Sequence, residues 1–394
     1  MKKRQAATLV GISSLGPFQF DTYLPALPAL MLFLHTSDTM VQLTITASLL
    51  GMAAGQLFVG PITDAVGRRR PLIIALIVFI ASAIACLLAN SVEWMIFARF
   101  ALGFSSAGGF VINNAFIRDN ASGQEAARLY STQATISSLA PVVAPLVGGQ
   151  LLLIGDWHIV FIFLALLGAV VLAMAVINMP ESLPRERRNA LTFGATFSSW
   201  RFVLSDRRFV ALALTNGLIF GQICVFIAGA PFSLENDFHL TPTQYTYAFA
   251  TVTFLMFSAS SLNRILLKRY SSITMLRYGL IHAGIAAAYL TAMNAFGATY
   301  LPAVLLGFAL AVSSIGFCSA NIMGLGMRDH GERAGVAAGL LGFSNSIVGA
   351  IVAPITSLLF GLHVIGVTTF MSLLLATATL LGLFSLRKEV GVMH

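Results

Sequence analysis

The feature that most restricts this chain is a series of apolar runs, each about 20 residues or longer, repeated from one end to the other with short polar breaks. Such a run matches the hydrocarbon thickness of a bilayer, where only helices and closed barrels satisfy every backbone polar group. Barrel strands alternate in polarity over about ten residues. The runs here are continuous, so they read as helices. Twelve spans fit, near residues 6–34, 39–62, 72–90, 94–117, 129–153, 158–179, 209–231, 243–263, 273–294, 299–326, 335–358 and 362–386. Composition agrees: 57% of the 394 residues are hydrophobic and 10% charged, against about 25% charged in soluble domains. So few charges exclude soluble enzymes, nucleic-acid binders and secreted disulfide scaffolds. The fold class expected is an all-α membrane protein of twelve transmembrane helices.

The formal net charge of +8 has a topological explanation. Arg68, Arg69 and Arg70 follow span 2, and Arg118 and Arg128 flank the loop after span 4. Arg185, Arg187, Arg188, Arg201, Arg207 and Arg208 fall between spans 6 and 7. Arg264, Lys268 and Arg269 follow span 8, with Arg277 just inside span 9; Arg328 and Arg333 follow span 10. Lys2, Lys3 and Arg4 share that side with Arg387 and Lys388. The odd loops carry Asp38, Glu93, Asp156, Glu235 and Asp237 and no basic residue. Of the 23 basic residues, all but Arg99 lie on one side. The positive-inside rule then puts both termini in the cytoplasm and makes the helix count even. No nucleic-acid partner is needed to explain the charge.

The first apolar stretch is longer than the 7–15-residue core of a signal peptide and contains Asp21, so it reads as an uncleaved helix. Cys86, Cys224 and Cys318 all fall within spans. Their spacing suits neither a disulfide framework nor a metal site, which leaves them as packing residues.

The longest polar segment, PESLPRERRNALTFG, separates six spans from six. VVAP at Val142 to Pro145 recurs as IVAP at Ile351 to Pro354, and the basic turn after span 2 recurs after span 8 as NRILLKRY. The expected organisation is a six-helix bundle over 1–180, a cytoplasmic linker over 181–208 and a second bundle over 209–394. Parallel repeats of this kind imply a pseudo-twofold axis along the membrane normal and a substrate site near the midplane.

GPITDAVGRRRP, from Gly60 to Pro71, closely resembles the loop signature of the major facilitator superfamily. With DTYLPALP in span 1, RFALG at Arg99 to Gly103, APVVAPLVGG at Ala140 to Gly149 and RAGVAAGLLGF before span 11, the chain resembles the bicyclomycin/chloramphenicol-resistance branch of the drug:proton antiporters. The resemblance implies the superfamily fold, alternating access, proton-coupled export and no cofactor. It does not distinguish drugs from metabolites.

Each motif also has a reading of its own. Asp21 lies near the middle of span 1, where a charged Asp costs about 2.5–3.5 kcal/mol, so it should face a cavity or a partner. A carboxylate neutral in one state and ionised in another can carry a proton; the alternative is a protonated Asp bonded to a neighbouring helix. Arg99 lies about one and a half turns into span 4 and needs a carboxylate, carbonyls or water. The resemblance implicates it in proton coupling and substrate response, whereas snorkelling towards the near interface is the structural alternative. Pairing between Asp21 and Arg99 is left open. In the loop, Gly60 and Gly67 allow close approach and a tight reversal. Asp64 can compensate neighbouring Arg charges or a helix N-terminus. The resemblance assigns Asp64, Arg68, Arg69 and Arg70 to a cytoplasmic gate; a structural salt bridge is the plainer reading.

Pro141, Pro145, Gly148 and Gly149 are expected to break span 5, and the family's antiporter signature is imperfect there, with Ala140 and Ala144 where Gly is commoner. GxxxG pairs at Gly51/Gly55, Gly217/Gly221 and Gly335/Gly339 mark close helix contacts. Tyr23, Asn113, Asn114, Gln133, Gln222, Asn321 and Asn345 are candidates for a substrate cavity, or for bonds between helices. Phe (30 residues) and Met (14) are numerous enough to line a forgiving apolar cavity.

The function expected is a monomeric multidrug efflux transporter of the bacterial inner membrane that exchanges small amphipathic drugs for protons. The alternative is a proton-coupled exporter or importer of a physiological metabolite, such as a nucleoside, amino acid or sugar-like solute, on the same fold. A membrane-embedded enzyme is disfavoured because neither HExxH nor GxSxG occurs.

Overall fold

The computed structural model describes residues 3–121, 123–188, 193–328, 330, 333–356, 358 and 363–386. Lys2, Arg387 and Lys388, part of the 181–208 segment and the end of span 11 lie outside the described residues. The described chain is helical throughout, and its contacts divide it into two compact units, Met1–Thr196 and Phe197–His394.

In the first unit, span 1 consists of α1 (Lys3–Asp21), a single 3₁₀ turn (Leu24–Ala26) and α2 (Leu27–Phe33). Spans 2 to 6 are α3 (Asp38–Val66), α4 (Arg69–Leu87), α5 (Val92–Asn120), α6 (Gly123–Ile154) and α7 (His158–Asn178). A short helix, α8 (Phe193–Ser205), leads to the second unit. There, spans 7 to 12 are α9 (Arg207–Phe238), α10 (Pro242–Leu266), α11 (Ser272–Ala295), α12 (Leu301–Arg328), α13 (Ala334–Ile355) and α14 (Val364–Leu386). Ten of these are long and apolar enough to cross a membrane by themselves. Span 1 and α6, with its apolar stretch Leu139–Ile154, complete the twelve.

Local chemistry sets several helix starts. Ser37, Ser91 and Ser271 accept from the backbone N–H three residues on, and Thr241 forms a reciprocal capping box with Gln244. Spans 1 and 7 both end on a histidine with positive φ, His35 and His239.

Span 1 breaks where proline chemistry requires it. Pro25 has no N–H to donate to the carbonyl of Asp21, and its ring crowds that carbonyl, so α1 ends at Asp21. The expected break in span 5 does not occur. α6 stays helical through Pro141 and Pro145, which are one turn apart and therefore place both lost hydrogen bonds on one stretch of one face.

The glycine pairs Gly51/Gly55 and Gly217/Gly221 act as expected. A Cβ on Gly51 would fall on the carbonyl of Phe100, and one on Gly103 on the carbonyl of Ser48, so α3 and α5 meet backbone to backbone. Gly217 and Gly221 admit Ser344 and Val348 of α13 against α9. This is the small-residue packing available to helices in lipid, where no hydrophobic force drives one helix onto another.

Candidate functional site

The first constellation forms at the break in span 1. An α-helix leaves its last four carbonyls without partners. Near the end of α1, the Gln19 carbonyl accepts from Arg99 Nη1 at 2.8 Å. Arg99 therefore caps α1 from another helix and sets a fixed positive charge at its negative end. The same Nη1 reaches Gln19 Oε1 at 3.2 Å, and Ser48 Oγ of α3 donates to that oxygen at 3.1 Å. The guanidinium carbon lies 4.4 Å from the centre of the Tyr23 ring, a cation–π contact. Tyr23 Oη is 2.8 Å from Thr44 Oγ1, which itself donates to the Val41 carbonyl. One cation thus ties spans 1, 2 and 4 together.

Arg99 is fully buried, which excludes snorkelling. Its Nε and Nη2 find no acceptor among the described residues. Asp21 is also buried, and among the described residues its carboxylate makes no hydrogen bond and no ion pair, with Arg99 or any other group. α6 packs directly over this break: a Cβ on Gly148 would fall on the Thr22 carbonyl, next to Asp21. Ala140, Ala144 and Pro145 are buried along α6, while Pro141 and Gly149 are half-buried.

The second constellation is the loop between α3 and α4. Gly67 takes φ +103°, and a Cβ there would meet the Glu181 carboxylate and Arg188. Glycine is therefore required on both conformational and steric grounds. Arg68, almost fully buried, pairs with Asp64 at 2.6 Å and Asp119 at 3.1 Å and donates to Thr63 Oγ1 at 2.8 Å. Its backbone N–H donates to Glu181 Oε1 at 2.7 Å, and that of Arg69 to Glu181 Oε2 at 3.3 Å. Arg118 adds longer contacts to Asp64 and Asp119, and Arg188 one to Glu181. Burial works to raise the pKa of Glu181, but the N–H groups of Arg68, Leu183 and Arg69, with the Arg188 charge, outweigh it and hold the carboxyl below its ordinary range. A Cβ on Gly60 would reach ordinary contact with Val111 of α5, and Arg69 and Arg70 are exposed.

The sequence profile of the Major Facilitator Superfamily matches residues 9–354. The chain belongs to the major facilitator superfamily. It is 32% identical to an uncharacterized MFS-type transporter, YdgK, of Bacillus subtilis, over 98% of this chain and 97% of that one. It is 28% identical to a bicyclomycin resistance protein homolog of Haemophilus influenzae, over 89% of this chain and 88% of the relative. Among solved structures, the human organic anion transporter MFSD10 (TETRAN) superposes with a TM-score of 0.75 at 16% identity, over 96% of this chain and 99% of that one, which is a likeness of fold. The resemblance to the bicyclomycin/chloramphenicol-resistance branch thus extends beyond the motifs, and a member of this superfamily is a transporter rather than an enzyme.

For this superfamily member, the structure brings some expected residues together and separates others. Arg99 lies over Tyr23 and holds Gln19 at the break that follows Asp21, and Gly148 of α6 packs on Thr22 there. Asn113 donates to the Leu9 carbonyl and Ser13 Oγ, tying span 4 to span 1. Gln222 donates to the Ala311 carbonyl, and Asn321 to Asn263 Oδ1 and the Phe317 carbonyl. These three bond between helices, yet each keeps an unpartnered amide oxygen, as does Asn345, while Gln133 keeps an unpartnered amide nitrogen. Asn114 also has a partner. Sequence reasoning missed Gln19, Asp119 and Glu181. The IRDN run that closes span 4 and the PES run after span 6 were the available signals, since both set a lone carboxylate beside an arginine-rich turn.

Proposed function

We propose that this transporter is a multidrug exporter that exchanges small amphipathic drugs for protons by alternating access. It works as a monomer in the bacterial cytoplasmic membrane, with both termini in the cytoplasm and its halves, 1–180 and 209–394, joined by the 181–208 linker. The observation that carries this reading is Asp21, a buried carboxylate with no hydrogen-bond or ion partner among the described residues, at the point where Pro25 stops α1. An unpaired carboxylate inside a membrane protein is a proton-relay candidate by default.

Three groups share the work. Asp21 binds the proton in one state and releases it in the other. Arg99 acts through the backbone: by holding the Gln19 carbonyl it sets the geometry of the break two residues before Asp21. Gln133, Gln222, Asn321 and Asn345 offer amide atoms without protein partners to a passing substrate. The Asp64, Arg68, Asp119 and Glu181 cluster, with Arg69 and Arg70, serves as the cytoplasmic gate. A relative named for bicyclomycin resistance supports drugs over metabolites as cargo.

The test uses everted vesicles with an acidified lumen and a fluorescent pH dye, challenged with chloramphenicol, bicyclomycin, cationic dyes, nucleosides and amino acids. Proton release that depends on a drug and disappears in Asp21→Asn is the expected result. Release driven by a nucleoside or amino acid alone would replace drug export with metabolite transport. Drug-driven release that survives Asp21→Asn would remove Asp21 from the mechanism.

A further inference from the structure

A cavity of about 460 Å³ opens within the first unit on the arginine-rich side, away from the break in span 1 and bordering the α3–α4 loop constellation, with which it shares Arg69. It is lined by Arg4 and Gln5 of α1, Arg69 at the start of α4, and Val176, Ile177, Asn178, Met179 and Pro180 at the end of α7. Two of these eight residues are cationic and none is acidic. Arg4 and most of the Arg69 guanidinium are not spent on protein contacts among the described residues. The Arg4 side chain makes no hydrogen bond or ion pair among the described residues, and Arg69 uses one nitrogen, Nη2, on the Val176 carbonyl at 3.0 Å. Glu181, which follows the lining Pro180, is engaged by the backbone N–H groups of Arg68, Arg69 and Leu183.

The floor of the cavity continues into a lipid-facing seam. Ile177 is 76% exposed at its edge, and Val170 and Leu166 continue along α7, with Ile74 and Ile77 beside them on α4. Exposed aliphatic side chains below paired arginines match a ligand with an anionic head and apolar tails. We infer that this cavity binds the phosphate of an anionic phospholipid headgroup between Arg4 and Arg69, with its acyl chains along the α4 and α7 seam. Basic pockets between transmembrane helices on the cytoplasmic side take such headgroups. The site rests on the topology proposed above for its leaflet but not on any transport activity.

The experiment is native mass spectrometry of the full chain in detergent, titrated with phosphatidylglycerol and with phosphatidylcholine of the same acyl chains. Phosphatidylglycerol should be retained in preference to phosphatidylcholine. Arg4→Gln should lower its retention about fivefold, the worth of one basic contact at a membrane surface. Gln5→Glu, which adds an opposing charge at nearly constant shape, should lower it as well. Arg201→Gln, on α8, should leave it unchanged. Equal retention of the two lipids, or unchanged retention in both cavity variants, would overturn the proposal. So would an equal loss in Arg201→Gln, which would indicate diffuse surface charge. Displacement of phosphatidylglycerol by millimolar inorganic phosphate would make the cavity a small-anion site and overturn its assignment to lipid.

Discussion

Spans 1, 2 and 4 of the first unit and spans 7, 8 and 10 of the second are counterparts in the repeat, yet their buried centres differ in chemistry. In the first unit, a helix broken at Asp21 is capped by Arg99, over Tyr23 and beside Gln19. In the second, α9 runs unbroken through Pro231, and the centre is aromatic. Phe226 stacks on Phe249 with ring centres 5.1 Å apart and meets Phe308 edge-on at 5.0 Å. Backbone-to-backbone glycine contacts at Gly51, Gly55 and Gly103 bring spans 2 and 4 together, whereas Gly316 makes that kind of approach between spans 8 and 10. One repeat holds a buried cation and a carboxylate unpaired among the described residues, while its partner fills the same place with packing. On the function proposed above, charge movement would fall to the first unit, while the second contributes packing.

Variants on each side sharpen this division, read by the unfolding-dependent labelling of the free buried cysteines Cys86, Cys224 and Cys318 with a thiol-reactive dye. The largest effect is expected from Gly103→Val, which drives a branched side chain into the Ser48 carbonyl and should cost about 3 kcal/mol of stability. A variant that labels no faster than the parent would mean that spans 2 and 4 can separate freely. Phe308→Ala comes next. Lipid supplies no hydrophobic drive, so the cost is mostly the cavity, about 2 kcal/mol, and compound-driven proton release should persist in the folded fraction. Loss of proton release without loss of stability would move charge coupling into the aromatic centre. Arg99→Gln should lower stability by about 1.5 kcal/mol, the range for a hydrogen bond to a charged group, and abolish proton release. If Phe308→Ala and Arg99→Gln proved alike in both measurements, the contrast between the units would fail.

The smallest effect is expected at Glu181. Its carboxyl is held below the ordinary carboxylate range when folded, so its stabilisation is present at neutral pH and is lost as pH falls through its depressed pKa. The stability difference between the parent and Glu181→Gln should therefore be clear near pH 7 and shrink below about pH 4. A difference that grew on acidification would reverse the sign argued here.

Much of this was legible in the residues before any coordinates. The apolar runs set the span count and the basic residues in alternate loops made it even, and the loop signature, Asp21 and Arg99 could be picked out because charge is rare in apolar runs. The partners were hidden, because Gln19, Asp119 and Glu181 are ordinary polar residues whose meaning comes from contacts spanning 80, 51 and 113 positions of chain. The position of the break was misjudged for a local reason. Five prolines lie across spans 1 and 5: α1 stays helical through Pro17 and α6 through Pro141 and Pro145, while the chain between Pro25 and Pro28 tightens to a 3₁₀ turn. The amides expected to line a cavity were open to two readings, and Asn113, Gln222 and Asn321 show why. Each bonds a neighbouring helix through its nitrogen while its oxygen stays without a partner.

The cap on α1 has a consequence for biogenesis. Gln19 leaves the ribosome 80 residues ahead of Arg99. Until span 4 arrives, the newly inserted first helix carries an unmatched carbonyl two residues before Asp21. Spans 1 to 4 should therefore leave the insertion machinery as one unit, and a nascent chain stopped after span 3 should remain within reach of crosslinkers placed on that machinery.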